Sequence, residues 1–362
     1  MSRNLLPLSL SATLLASAAW ADVPKVATDI APVHSLVSRV MDGVGEASLI
    51  VPSGATPHEY SLRPSEAAAL QDADLVFWIG PDLTPWMENA IETLAGSATV
   101  STLMETDGTL ELPFRESALF EAHDHDAKDD HGHDDHAHDE AAHDHEHDHD
   151  DDHAKDDHAD DAHSHDDHGH DDHGHDDHAH DDEGHAGHAH GAHDPHAWLS
   201  LDNASVWLNA IAAQLSAADP ENAGAYYANA TAAREELDSL RTEVNAILDP
   251  VRRQNFIVFH DAYQYFENTF DFPASGAISF SDATDASPAR IAEIQNRVTE
   301  QDIRCVLSEP QFDPKIVAAV MDGSEAKTGV LDPLGSDLDL GADLYGNVVR
   351  NLARALADCL QS

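Results

Sequence analysis

PENAGAYYANATAAREELDSLRTEVNAILDPVRRQNFIVFH, residues 220 to 260, passes from one kind of local order to another. From Pro220 to Leu248 it is dominated by Ala, Glu, Leu and Arg, and no glycine follows Gly224. Such residues lose little side-chain freedom in a helix, so one long helix is expected. The stretch then enters NFIVF, rich in aromatic and β-branched residues, which reads as a strand. His260 directly follows that run, so an imidazole is expected at a strand's carboxyl end.

On the amino-terminal side, VPKVAT, ASLIV, DLVFWI and ATVS alternate with helical stretches from Pro32 to Met41, from Pro64 onward and from Thr84 to Leu94. Leu201 to Ala217 is a further helix-forming run. Beyond the long helix, NFIVF, AISF, RCVLS and TGVLD alternate with helical patterns at 262–270, 287–301, 315–321 and 344–360. Short β-rich runs alternating with helices imply parallel strands joined by crossovers. The expected fold class is therefore α/β: two lobes, each with a mostly parallel sheet flanked by helices, joined by a long linking helix. The lobes are expected at 22–122 plus 194–219 and at 249–362, with the linker at 220–248. A ligand would sit in the cleft between them, near the carboxyl ends of strands.

One segment cannot belong to either lobe. His123 to Asp194 holds 24 histidines, 28 acidic residues, two lysines, no aromatic residue and no aliphatic residue larger than Ala. Burial cannot offset its ordering entropy, so a disordered His/Asp-rich insertion is expected over 123–193. The stretch from His123 to Asp194 carries a formal charge of -26 of the chain's -51. The remainder is acidic too, which argues against nucleic acid or anionic lipid as a partner and is compatible with cations.

MSRNLLPLSLSATLLASAAWA combines Arg3, a short apolar run and the small residues Ala19 and Ala21, the pattern of a secretory signal peptide over 1–21. A membrane anchor is the alternative, but the apolar run is short and broken by Pro7. Export to an oxidising compartment favours a disulfide between Cys305 and Cys359, the only two cysteines. Two inert buried thiols are the other reading.

Four histidines lie outside the insertion: His34, His58, His196 and His260. His58 sits in VPSGATPHEY, a loop after the strand ASLIV, and His196 in DPHAWLS, where the insertion rejoins the folded body. Three imidazoles from separate segments, with a carboxylate or water, make a good tetrahedral zinc shell. Spacing alone leaves each of them open as a surface or core side chain. His34, in a helix-opening stretch, reads as a surface or supporting residue. Glu309, before Pro310, reads as a structural hydrogen-bonding group, and Trp198, Tyr60 and Phe259 as core or cleft-wall residues.

GATPHEYSLRPSE (54–66), DPHAWLS (194–200), HDAYQYFE (260–267), SEPQF (308–312) and LDPLG (331–335), in that order, resemble the metal-binding solute receptors of bacterial ABC importers. Among these the chain resembles the periplasmic zinc-binding components, in which a His/Asp-rich insertion before DPHAW is typical. The resemblance covers essentially the whole mature chain. It implies His58, His196 and His260 as metal ligands, with Glu59, Asp332 or water in the fourth place. It also implies a receptor, expected to be monomeric, that delivers zinc from the periplasm to a membrane permease and its ATPase. Manganese receptors of this kind carry a carboxylate where His260 stands, and three imidazoles suit Zn2+ better than a hard, oxygen-preferring ion. An exported zinc buffer and a receptor for another divalent metal are the alternatives. No nucleophile elbow, P-loop or HExxH motif points to an enzyme.

In the insertion, His143, His145, His147, His149, His168, His170, His173, His175, His178 and His180 lie beside carboxylates. They are read as auxiliary low-affinity zinc sites: each ion must order the chain to bind, which lowers affinity per site. The insertion then gathers, buffers or senses zinc; a plain solvating tether is the alternative.

Overall fold

The computed structural model describes residues 23–115, 120, 193–279 and 287–361. The signal-peptide assignment and the ten auxiliary histidines of the insertion lie outside the described residues. The described residues fall in one compact unit.

Two parallel four-stranded sheets form the frame. The first contains β1 (Val26–Thr28), β2 (Ala47–Leu49), β3 (Leu75–Trp78) and β4 (Thr99–Thr102), in the order β2-β1-β3-β4. The second contains β5 (Asn255–His260), β6 (Ala277–Ser279), β7 (Ile303–Ser308) and β8 (Lys327–Val330), in the order β6-β5-β7-β8. The helices are α1 (Ala31–Val40), α2 (Pro64–Gln71), α3 (Pro85–Leu94), α4 (Leu201–Ala218), α5 (Ala223–Leu248), α6 (Gln264–Phe270), α7 (Pro288–Glu300), α8 (Pro314–Met321) and α9 (Leu344–Gln361). Each strand and helix expected from the sequence has its counterpart, with ends shifted by a few residues; Phe280 of AISF lies outside the described residues.

Alternation along the strands explains why both faces of each sheet are covered. In β3 and just beyond, Leu75, Phe77 and Ile79 enter the large central core, whereas Val76 and Trp78 join Leu70, Met87 and Ile91 of α2 and α3. In β5, Phe256 and Val258 face the central core while Ile257 and Phe259 pack against Ile294, Val298, Val317 and Val320 of α7 and α8. Successive side chains in a strand point to opposite faces, so a continuous apolar run is what a sheet buried on both sides requires. Each such side chain contributes roughly 1.5–3 kcal/mol on burial.

Helix α5 is shorter at its start than the sequence pattern suggests, because Pro220–Asn222 form a turn on Asp219. That carboxylate accepts from the Asn222 amide at 2.7 Å and from the Tyr226 hydroxyl at 2.8 Å. Tyr226, Ala230, Ala233, Leu237, Leu240, Val244 and Leu248 make one buried stripe at spacings of three and four. The linking helix thus lies along the body, against α1, α4 and α9. The Cys305–Cys359 disulfide is present and fastens β7 to α9. No helix among the described residues is long and apolar enough to cross a membrane.

The two sheets share one strand order, so each has its reversal point at the equivalent place, beside β1 and beside β5. At β1 the carboxylate of Asp29 accepts from the backbone amides of Ile30 and Ile79, both at 2.7 Å, locking the ends of β1 and β3 together. At β5 the corresponding place holds His260, with Glu309 just past the end of the neighbouring strand β7.

Candidate metal centre

His58, His196 and His260 come together. One ring nitrogen from each lies within 4.8 Å of the other two, and no other group of three or more potential ligands occurs among the described residues. His260 is carried by the last residue of β5, His196 precedes a short 3-10 turn at Ala197–Leu199, and His58 lies in the loop between β2 and α2. The Nε2 atoms of His196 and His260 face each other at 3.4 Å. Two Zn–N bonds of ~2.0–2.1 Å at a tetrahedral angle put their nitrogens about 3.3–3.4 Å apart, so this pair has the spacing of ligands on one ion.

Carboxylates hold both rings from behind. His196 Nδ1 lies 2.7 Å from Asp194 Oδ1, which also accepts from the His196 backbone amide at 3.0 Å. His260 Nδ1 lies 2.6 Å from Glu309 Oε1. An ionised carboxylate accepts only, so with Asp194 and Glu309 ionised each Nδ1 carries the proton and each Nε2 lone pair is left to face the cavity. Asp194 and Glu309 are both buried. Burial pushes the Asp194 carboxyl up to about 7 against the lowering effects of its bond from His196, of Arg115 and of the nearby histidines.

The cavity, of about 20 Å³, is bordered by Thr56, Pro57, Trp198, Glu309, Gln311, Phe312, Pro333 and Leu334 besides the three histidines. That is room for one ion or one water. His196 and His260 are buried, while His58 is only partly so and marks the solvent side. Trp198 is a wall residue whose Nε1 donates to Pro333 O at 2.9 Å. Phe259 sits behind the wall, stacked on Phe312 with centroids 4.4 Å apart. Tyr60 bonds the Glu66 carboxylate and packs on Trp86.

Neither candidate carboxylate for the fourth place joins the three histidines. Glu59 is exposed. Asp332 caps the LDPLG turn: Oδ1 accepts from the amides of Leu334 and Gly335 at 3.1 and 2.9 Å, and Oδ2 from the Ser336 amide and hydroxyl at 2.6 and 2.8 Å. With three backbone amides and one hydroxyl donating, its lone pairs are committed to the turn. His34 is not a surface residue: it is buried in α1, with Nε2 3.1 Å from Ala47 O. Glu309, read from sequence as structural, is the group that orients His260. Asp194 was missed, although a carboxylate two residues before a histidine in DPH is a signal that could have found it.

The chain matches the family model described as zinc-uptake complex component A, periplasmic (ZnuA), over residues 26–359. It is 45% identical over 335 residues to the high-affinity zinc uptake system protein ZnuA of Brucella abortus (strain 2308), covering 92% of this chain and 91% of that one. It is 42% identical to the protein of the same name from Paracoccus denitrificans (strain Pd 1222), over 94% and 93% of the two chains. Among solved structures, a crystal structure of ZnuA superimposes with a TM-score of 0.65 at 19% identity, covering 93% of this chain and 99% of that one. The laminin-binding protein Lmb of Streptococcus agalactiae, described as bifunctional with adhesin and metal transporting activity, gives 0.62 at 19% identity over 93% and 99%. At that identity these two likenesses speak for the fold. With a family model spanning nearly all of the folded body and relatives above 40% identity over more than nine-tenths of their length, the chain belongs to the ZnuA family of periplasmic zinc-uptake components.

Proposed function

We propose that this protein captures Zn2+ between His58, His196 and His260 and delivers it from the periplasm to the permease and ATPase of an ABC importer. The observation that carries the reading is the pair of Nε2 atoms at 3.4 Å, each on a ring oriented by a buried carboxylate. The third imidazole, on the solvent side, completes a three-nitrogen face, and water supplies the fourth place. An all-imidazole donor set favours zinc over manganese, whose preference is for oxygen. The relatives' own names, high-affinity zinc uptake system proteins, support the same cargo.

In this reading the chain's residues bind and orient the ion and exclude water from one side of it. The insertion serves as an auxiliary, low-affinity reservoir whose carboxyl end joins the folded body three residues before His196.

A competitive zinc titration tests this, comparing the mature protein with a variant lacking 123–187 and with His58→Ala and His260→Ala. One tight site that survives the deletion and is lost in both histidine variants is the expected result. Tight binding abolished by the deletion would instead make the insertion the main site. Growth under zinc chelation, restored by wild type and not by the double histidine variant, separates a transport receptor from an exported buffer.

A further inference from the structure

Chain segments that flank the insertion, at 112–115 and at 193–194, meet at a root built from described residues. The Asp194 amide donates to Leu112 O at 2.8 Å, and Pro113 and His193 form an antiparallel bridge. The Tyr265 hydroxyl, on α6, accepts from the Leu112 amide and donates to Asp194 O, both at 2.9 Å. Arg115 extends from this root across to the other sheet's side of the molecule. Its guanidinium donates to Asp261 Oδ1 at 3.0 Å and to Glu267 Oε2 at 2.6 Å, and lies 3.8 Å over the Phe120 ring. Both carboxylates are buried, and the Arg115 side chain is only 19% exposed.

The positions of these partners matter more than their number. Asp261 directly follows His260, and Asp194, in the strand pair of the root, lies two residues before His196. A single guanidinium therefore ties the segment carrying His196 to the segment carrying His260.

We propose that Arg115 is a positioning residue of the metal centre: by bridging Asp261 and Glu267 from the insertion root, it holds His196 and His260 at the spacing a single ion requires. This rests on the reading of the three histidines as the zinc site. Arg115 does not border the cavity, so it acts through the backbone segments it joins. A planar fork holds two carboxylates in a fixed mutual geometry, which the freely rotating ammonium of lysine does not impose. A role as a mere charge predicts the opposite sign, because removing a cation near a divalent-cation site tightens binding. Loss of positioning weakens it, by the roughly 10–100-fold typical of groups that orient ligands.

The test is a zinc titration of the full chain against a chelator strong enough to keep the weak sites empty. Wild type, Arg115→Met, Arg115→Lys and His260→Ala are compared, with the absorption spectrum of the Co2+-loaded protein recorded for each. The expected result is a tight-site Kd about 10-fold higher in Arg115→Met, an altered cobalt spectrum, and partial recovery in Arg115→Lys. Unchanged or tighter binding in Arg115→Met overturns the proposal. Should circular dichroism show that Arg115→Met does not fold, Arg115→Lys decides: weaker binding with an altered cobalt spectrum supports the proposal, and wild-type affinity overturns it. A tight site that survives His260→Ala marks failure of the metal-site reading itself, and the inference about Arg115 falls with it.

Discussion

Replacing Glu309 by Leu removes the acceptor behind His260 while keeping an apolar side chain of similar size in a buried position. In the wild-type protein the 2.6 Å contact between Glu309 Oε1 and His260 Nδ1 fixes the tautomer, the ring orientation and the basicity of Nε2. Without it the buried Nδ1–H has lost its partner, which costs about 1–3 kcal/mol, and the tautomer with the proton on Nε2, useless for metal binding, becomes competitive. Losses of this kind correspond to a 10–100-fold rise in metal Kd, or about 1.4–2.7 kcal/mol. Glu309→Gln keeps an acceptor but not the charge, so it should lie at the low end, near 10-fold or below. The assay is zinc competition at constant pH and ionic strength, with cobalt spectra to report ligand geometry. A Glu309→Leu protein that folds and binds zinc with wild-type affinity would refute the idea that the carboxylate presets the ligand.

Three further expectations concern stability. Burial raises the Asp29 carboxyl to about 7 from its ordinary 3.8, even though two backbone amides donate to it. The folded state therefore holds this proton more tightly than the unfolded state, and its contribution is full below 3.8 and lost as pH rises through about 7. The metal-free protein should lose about 1 kcal/mol from this group between pH 6 and 8, and Asp29→Asn should flatten that part of the slope in thermal melts; an unchanged slope in the variant would argue against it. Replacing Cys305 and Cys359 together by Ser opens a loop with a sequence separation of 54, for which chain entropy gives at most about 4 kcal/mol, measurable by urea denaturation. Gly335 has φ of 72° and a Cβ there would meet Val348 Cγ2 at 2.7 Å, so Gly335→Ala should destabilise by about 1–3 kcal/mol. A melting temperature equal to wild type would count against that strain.

The local elements were legible because they depend on residues near one another in sequence. Val76 and Phe77, or Ile257 and Val258, announce a strand buried on both faces by being apolar in succession. The stripe from Tyr226 to Leu248 announces a helix by its spacing. The three histidines could be proposed because each stands beside a strand end or a loop, where ligands gather in α/β folds. Glu309 was undervalued for a different reason: its 2.6 Å bond to His260 spans 49 residues, and nothing local to SEPQF indicates where that carboxylate points.

Composition and periodicity alone thus determined two α/β sheets, a long connecting helix, an acidic histidine-rich insertion that cannot build a core, and a short list of imidazoles able to hold a metal. Only the tertiary structure decided which carboxylates stand behind those imidazoles, that Asp332 is committed to a turn, and that Arg115 reaches Asp261, 146 residues away. Periodicity is set by the backbone geometry of a single helix or strand, and can be read from neighbours in the chain. Hydrogen-bond partnership in the centre is set by which strand ends the sheet order brings side by side, and by burial that makes an unpaired charge too costly to leave there.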